Sequence, residues 1–383
     1  MIRDSETLNH TLSALNRFIK ERLVPIEEQV DREGVIPEPV VDEMRALGLG
    51  GLTMPARYGG SELTIEEKIR FSIAFGWTSP AFCRRFTSND GPGFALMQGG
   101  TEEQRAYWLP KLASGELTGS FAMTEPEAGS DAGGIRTRAQ RDGGEYVLNG
   151  TKRFITNAPF ADVFIVTART GLPADGAKGV SSFLVPATTP GLKCGPPDSK
   201  MGLNGNDTAD VTFDECRVPV ENLIGAEGEG FKIFMRRLDI VRVEAAAVAV
   251  GNAERLIHEA TQYALTRSQF GQPIAHYQLV QAMLADSQAE MYAAKCMVID
   301  AAQKLDDGQP TAMEAASCKL FATEMVGRVA DRAVQIHGGS GYMRGTAVER
   351  FYRDVRVYRI YDGTSQVQKL IIARNLLKRA RKP

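Results

Sequence analysis

The 383-residue chain is short of several residue types on which whole classes of chemistry depend. It has four histidines, His10, His258, His276 and His337, and no two stand at i, i+4, which argues against a zinc hydrolase. Its five cysteines, Cys83, Cys194, Cys216, Cys296 and Cys318, are odd in number and contain no CxxC pair. That argues against a disulfide framework or a zinc knuckle and for a reducing compartment, so no metal is expected. A GxSxG elbow and a Walker A string are also missing, and with them the serine-hydrolase and P-loop readings. The best apolar run, AAAVAVG at 245–251, falls far short of the roughly 20 residues that span a bilayer. The opening MIRDSETLNH lacks the basic and apolar regions of a secretory signal, so a cytoplasmic location is expected. Charge of one sign is lacking too: 45 Lys and Arg against 47 Asp and Glu leave a net charge of −2. Nucleic acid is therefore not an expected partner. The one basic stretch, RNLLKRARKP at the end, reads as cations at a helix C-terminus.

What is present is an ordinary globular composition, 43% hydrophobic and 24% charged, enough for two or three domain-sized regions. Residues 1–118 read as helical: Leu12, Leu15, Phe18 and Ile19, then Val40, Met44 and Leu47, recur at helical spacing. Pro37, Pro39, Pro55, Gly59 and Gly60 mark the breaks. TEEQRAYWLPKL opens with a capping box, Thr101 with Gln104, and Pro110 is expected to break or kink that helix. From 119 to 227 eight of the 18 prolines separate the β-rich runs EYVL, DVFIVTA, VSSFLVP and ADVTF, which suggests a small barrel or sandwich. From 228 to 383 proline nearly vanishes. Leu284, Met291, Val298 and Leu305 recur every seven residues with Ala294 and Ala301 beside them, the pattern of a long helix in a bundle. A second helix, about 311–336, carries Ala316, Leu320, Ala322, Met325 and Val329 towards the same core.

Three strings fall near the predicted seams, where small-molecule sites tend to form. FAMTEPEAGSD runs from a strand into a turn rich in small and hydroxyl residues, Thr124, Gly129 and Ser130. Such a turn holds a polar heterocycle or pyrophosphate, or is a plain turn with side chains bonded to its own backbone. In NGTKRFITNA a hairpin-like turn at Asn149–Gly150 precedes Phe154 and Thr156, an aromatic and a hydroxyl two apart on one strand face. In QIHGGSGYMRGTAVERFYRDVRVYRIYDGTSQVQKL a glycine cluster follows a helix and Asp362 precedes another, as a ligand-facing carboxylate or a helix cap. GGSG follows no predicted strand, so a Rossmann fingerprint is rejected.

Together FAMTEPEAGSD, NGTKRFITN, RSQFGQPI, QIHGGSGY and RDVRVYRIYDGTSQVQ, in this order and spacing, resemble the acyl-CoA dehydrogenase family along nearly the whole chain. The resemblance implies a mostly α, α+β fold: an N-terminal helical domain, a middle β domain and a C-terminal four-helix bundle. It also implies non-covalent FAD, a homotetramer built from dimers, an acyl-CoA substrate and electron-transferring flavoprotein as acceptor. Phe121, Met123, Thr124, Gly129 and Ser130 resemble the segment beside the flavin, with Ser130 also at the thioester. Phe154, Ile155 and Thr156 resemble the family's Trp-Ile-Thr/Ser flavin contact, with Phe154 in place of the usual tryptophan and Thr156 donating towards N5. Arg267, Phe270 and Gln278 resemble contacts to the FAD pyrophosphate and adenine, and Gln335, Ile336, Gly338 and Gly339 resemble a loop reaching the partner subunit's FAD. Thr364 and Gln366 resemble the last cofactor contact, and Asp239, Arg242, Tyr361 and Gly363 resemble substrate contacts.

The implied chemistry is α,β-dehydrogenation, in which a carboxylate takes the α-proton and the β-hydride passes to the flavin. Most members carry Glu in the Y-E-G-T string; this chain has Asp362, one methylene and about 1.5 Å shorter. The second base position known in the family, just before the arginine of the substrate helix, is Val241 here. Glu244 and Asp90 are the nearby substitutes. An aspartate base resembles two variations: dehydrogenases of branched or alicyclic thioesters such as cyclohexanecarboxyl-CoA, and nitroalkane oxidase. The same resemblance also accommodates an acyl-carrier-protein-tethered substrate, or a non-catalytic flavoprotein scaffold.

Overall fold

The computed structural model describes residues 4–381, apart from the side chain of Phe86. Met1–Arg3 at the head and Lys382 and Pro383 of the basic tail lie outside the described residues.

Helix α1 (Ser5–Phe18) starts where Asp4 accepts from the backbone N–H groups of Glu6 and Thr7. Leu15 and Ile19 are buried, and so are Val40 and Met44 in the later helical segment Glu38–Ala46; Leu47 closes that segment and is exposed. Helices α2 (Ile65–Phe75), α3 (Pro80–Thr87), α4 (Asp90–Gly99) and α5 (Glu102–Ser114) complete the N-terminal region. The Thr101–Gln104 capping box is formed in both directions. Pro110 does not break α5, which runs on to Ser114 and stops at Gly115 in the left-handed region, φ 73°. A proline removes one hydrogen bond, and Leu109, Leu112 and Ala113, all buried on either side of it, hold the helix together.

The β region has strands β1 (Gly119–Ala122), β2 (Arg138–Asp142), β3 (Glu145–Thr156), β4 (Val163–Arg169), β5 (Val180–Pro186), β6 (Leu192–Cys194), β7 (Thr208–Pro219) and β8 (Leu223–Ile224). They form one mixed sheet in the order β6-β7-β3-β2-β4-β5-β8, with β1 parallel to β4. The expected hairpin turn at Asn149–Gly150 is not there. Strand β3 runs straight through those residues, and the chain turns earlier at Gly143–Gly144. Asn149 bridges to β7 instead, donating to the Glu215 carboxylate at 2.8 Å and accepting from the Glu215 N–H at 2.9 Å, beside a register shift. Asn-Gly marks a bulge here rather than a turn. A second shift, between Lys152 and Ile155, puts Phe154 at φ 58° with its ring exposed.

Three long helices follow: α6 (Gly230–Thr266), α7 (Gln278–Asp306) and α8 (Ala312–His337). Met291, Ala294, Val298 and Ala301 are buried as the seven-residue repeat requires, with Leu284 and Leu305 partly buried at its ends. On α8, Ala316, Ala322, Met325 and Val329 are buried, but Leu320 is only half-buried while its neighbour Lys319 is wholly enclosed. Helices α9 (Ala347–Asp354) and α10 (Ser365–Ala380) close the chain against them. Buried Glu27 ties the N-terminal segment to this bundle, 2.6 Å from Arg350 and 3.4 Å from Arg255. Among the described residues no helix is long and apolar enough to cross a membrane.

Candidate active site

A cavity of about 690 Å³ opens where the helical regions meet the β region. Its walls come from α3, the turn after β1, the end of β3, one face of α6, the loop before α10 and α10 itself. Eleven sequence-expected residues line it: Phe121, Met123, Thr124, Gly129, Ser130, Phe154, Ile155, Thr156, Arg242, Asp362 and Gly363.

Two buried lysines hold the loops that carry them. Lys152, in the middle of β3, reaches under the turn after β1 and donates to the Glu125 carboxylate at 2.7 Å and the Met123 carbonyl at 3.1 Å. Glu125 in turn accepts from the N–H groups of Arg136 at 2.5 Å and Thr137 at 3.0 Å. Burial pulls the Lys152 ammonium down to about 8, and the carboxylate beside it keeps it charged at neutral pH. Burial works against the Glu125 charge, but Lys152 outweighs it and holds this carboxyl below its ordinary range. Lys319 does the same for the second loop, donating to the carbonyls of Tyr361 at 2.9 Å and Gly363 at 2.6 Å. These carbonyls flank Asp362, whose backbone is left-handed at φ 54°. Aspartate tolerates that region better than most residues. Asp362 is not the helix cap: Thr364 caps α10 by accepting from the Val367 N–H at 3.2 Å.

The Asp362 carboxylate sits within the cavity, and its Oδ2 is buried without a hydrogen-bond partner. Among the described residues its ion-pair partner is Arg84 of α3, Nη2 at 3.5 Å, and the charges of Arg242 and Lys319 also reach it. Arg84 lies over the Tyr361 ring, 4.8 Å from the centroid. Burial disfavours its charge, but Tyr361, Asp362 and Glu244 more than offset this and keep it a permanent cation. Burial likewise pushes the Tyr361 phenol up to about 12, so it stays neutral. Tyr361 stacks on Tyr358 at 5.6 Å behind the cavity wall. Asp239 also stands outside the cavity, bonded to Arg242 at 2.9 Å and to the Thr311 hydroxyl at 3.3 Å.

The two substitute carboxylates are already engaged. Lys68 of α2, fully buried, lies 2.6 Å from Asp90 and 3.0 Å from Glu244. Burial raises the Glu244 carboxyl, but Lys68, Arg84 and Arg237 outweigh it and hold the group below its usual range, a poor state for a base. Glu244 lines the main cavity; Asp90 lines a separate one behind it.

The sequence matches the family descriptions "Acyl-CoA dehydrogenase, N-terminal domain" over residues 5–116, "middle domain" over 120–216 and "C-terminal domain" over 228–377. It is 44% identical to a probable acyl-CoA dehydrogenase, YngJ, of Bacillus subtilis, over 94% of this chain and 95% of that protein. It is 42% identical to an acryloyl-CoA reductase (NADH) of Anaerotignum propionicum, over 95% of this chain and 92% of the relative. Among solved structures, butyryl-CoA dehydrogenase from Megasphaera elsdenii superposes with a TM-score of 0.94 at 34% identity, covering 98% of this chain and 100% of that one. This chain belongs to the acyl-CoA dehydrogenase family.

An acyl-CoA dehydrogenase-family protein is an FAD-dependent oxidoreductase, and the cavity fits the flavin's needs. The hydroxyls of Thr124, Ser130 and Thr156 face it with no hydrogen bond to other described residues. The Phe154 ring is exposed beside them, and a Cβ built on Gly129 meets nothing within 4 Å. Arg267, Phe270, Gln278, Gln335, Ile336, Gly338, Gly339, Thr364 and Gln366 do not line this cavity. Arg267 ends α6, and Phe270 stands 94% exposed on the short hairpin that follows. Gln278 begins α7, and Gln335–Gly339 runs over the end of α8, with Gly338 at φ 57°. In this acyl-CoA dehydrogenase-family chain, sequence reasoning missed Lys152, Lys319, Arg84 and Arg237. Charged residues within apolar helical or strand runs were the available signal.

Proposed function

We infer that this chain oxidises the α,β-bond of an acyl-CoA thioester, with Asp362 taking the α-proton. The observation that carries this is a carboxylate in the cavity, its Oδ2 free of hydrogen bonds, among residues suited to hold a flavin. Bound FAD supplies the acceptor for the β-hydride. Asp362 removes the proton; an acyl group that fills the cavity excludes water and strengthens the carboxylate as a base. Arg84, 3.5 Å away, helps to orient the carboxylate, and Lys319 fixes the loop from which it reaches. The shortened side chain favours a substrate whose α-carbon is carried closer, as in a branched or alicyclic thioester such as cyclohexanecarboxyl-CoA. The resemblance also supports electron-transferring flavoprotein as acceptor and a homotetramer. The exposed apolar residues Phe270, Leu279, Tyr342 and Met343 near the bundle end suit buried interfaces.

The test is anaerobic bleaching of the flavin by butyryl-, octanoyl-, isobutyryl- and cyclohexanecarboxyl-CoA, with nitroethane beside them. A thioester is expected to bleach the wild type, and Asp362→Asn to slow it by about 10²–10⁴-fold, the usual worth of a general base. Asp362→Glu is expected to shift preference towards the straight chains. Bleaching by nitroethane alone makes the protein a nitroalkane oxidase-like enzyme instead, and an undiminished Asp362→Asn removes Asp362 as the base.

A further inference from the structure

Beyond Asp362 the cavity wall is apolar at Phe121, Phe234, Leu238 and Val241 but also bears charge. Arg84, Arg237 and Glu244 line it, and Lys68 and Asp90 stand directly behind. Their pairing is uneven. Lys68 takes both Asp90 and Glu244, at 2.6 and 3.0 Å, and Arg84 takes Asp362 at 3.5 Å. Arg237 is left with no hydrogen bond and no ion pair among the described residues, although its field reaches Glu244.

Arg237 also occupies a particular place. It lines both the main cavity and a second cavity of about 300 Å³ behind it, walled by Thr53, Leu63, Phe94 and Ile240 among others. Arg237 is therefore part of the partition between the two. Gly91 of α4 makes room for it: a Cβ there falls 3.1 Å from Arg237 Nη1. A guanidinium carries five N–H donors and no acceptor. While water fills the cavity those donors are solvated. A substrate that expels the water, as the proton transfer requires, strands them unless it brings oxygen acceptors of its own.

We propose that the acyl group taken by this cavity is short and ends in an oxyanion, a carboxylate, whose two oxygens accept from Arg237. Guanidinium and carboxylate match in a planar, bidentate geometry that ammonium lacks. The partition also limits length, because a longer chain has to displace Arg237 to enter the second cavity. This inference rests on the reading of the protein as an acyl-CoA dehydrogenase and names the substrate class for the same site.

The experiment compares glutaryl-CoA and succinyl-CoA with hexanoyl-CoA as reductants of the FAD-loaded wild type, Arg237→Leu and Arg237→Lys. The wild type is expected to show a KM at least tenfold lower for an ω-carboxyl thioester than for hexanoyl-CoA. Arg237→Leu is expected to raise that KM at least thirtyfold and to reverse the preference in favour of hexanoyl-CoA. Arg237→Lys recovers part of the loss. Equal or better use of hexanoyl-CoA by the wild type overturns the proposal and leaves the dehydrogenase reading intact. So does a loss in Arg237→Leu that is the same for both kinds of thioester, which marks a structural role. If no thioester reduces the flavin in any variant, the dehydrogenase reading falls and this inference falls with it.

Discussion

Residue by residue, the chemistry-bearing side chains divide into those that touch the cavity and those that hold its walls from behind. The first kind was largely legible in the sequence, because short strings such as FAMTEPEAGSD and YDGTSQ carry them contiguously. The second kind was not. Lys152 sits in a strand of ordinary composition, and only the fold brings it under Glu125, 27 residues away. Removing one member of a buried ion pair leaves an uncompensated charge. Lys152→Met is therefore expected to destabilise the protein by about 3–5 kcal/mol and to weaken FAD retention, because the turn from Met123 to Asp131 loses its anchor. Denaturant unfolding and the flavin-to-protein absorbance ratio measure both effects, and adding Glu125→Gln to that variant is expected to recover part of the stability.

At the scale of elements, the helix positions were readable from periodicity, and the failures came where a polar side chain overrode a pattern. Asn149–Gly150 has the composition of a tight turn, yet β7 lies alongside and the Asn149 amide satisfies a bulge there. On α8 the apolar repeat pointed to Leu320, but it is Lys319 that turns inward, donating to the Tyr361 carbonyl and sharing the Gly363 carbonyl with Gln368. That contact sets where the Asp362 loop stands relative to the bundle. Lys319→Met is expected to lower kcat by 10–100-fold, the scale of an ångström-sized misplacement, with FAD content kept. A stopped-flow reduction rate beside a flavin titration separates the two; lost FAD together with lost rate marks a general collapse instead.

For the whole molecule, the three-region architecture was visible in proline distribution and periodicity, whereas the joints between regions were not. One joint is Asp354 at the end of α9, buried and accepting from the Leu203 N–H at 2.6 Å. Burial pushes its carboxyl up to about 7, against the pull of the Leu203 N–H and of Arg353 and Arg350. The unfolded chain returns it to about 3.9. Between pH 4 and 7 the folded state thus binds more protons than the unfolded one, so this group's contribution to stability falls as pH rises. Asp354→Asn is expected to match the wild type in Tm near pH 4.5 and to exceed it above pH 7, as a pH series of thermal melts will reveal. Across the same molecule, α6 spans 37 residues, about 55 Å at 1.5 Å per residue. It carries Arg237, Arg242 and Glu244 near one end and delivers Arg267 at the other. A helix couples rotation to length, about 100° for each residue. Inserting or deleting a single residue midway therefore swings one end out of phase with the other. Changes of length are thus expected to be tolerated in the loops that flank this rod and not within it.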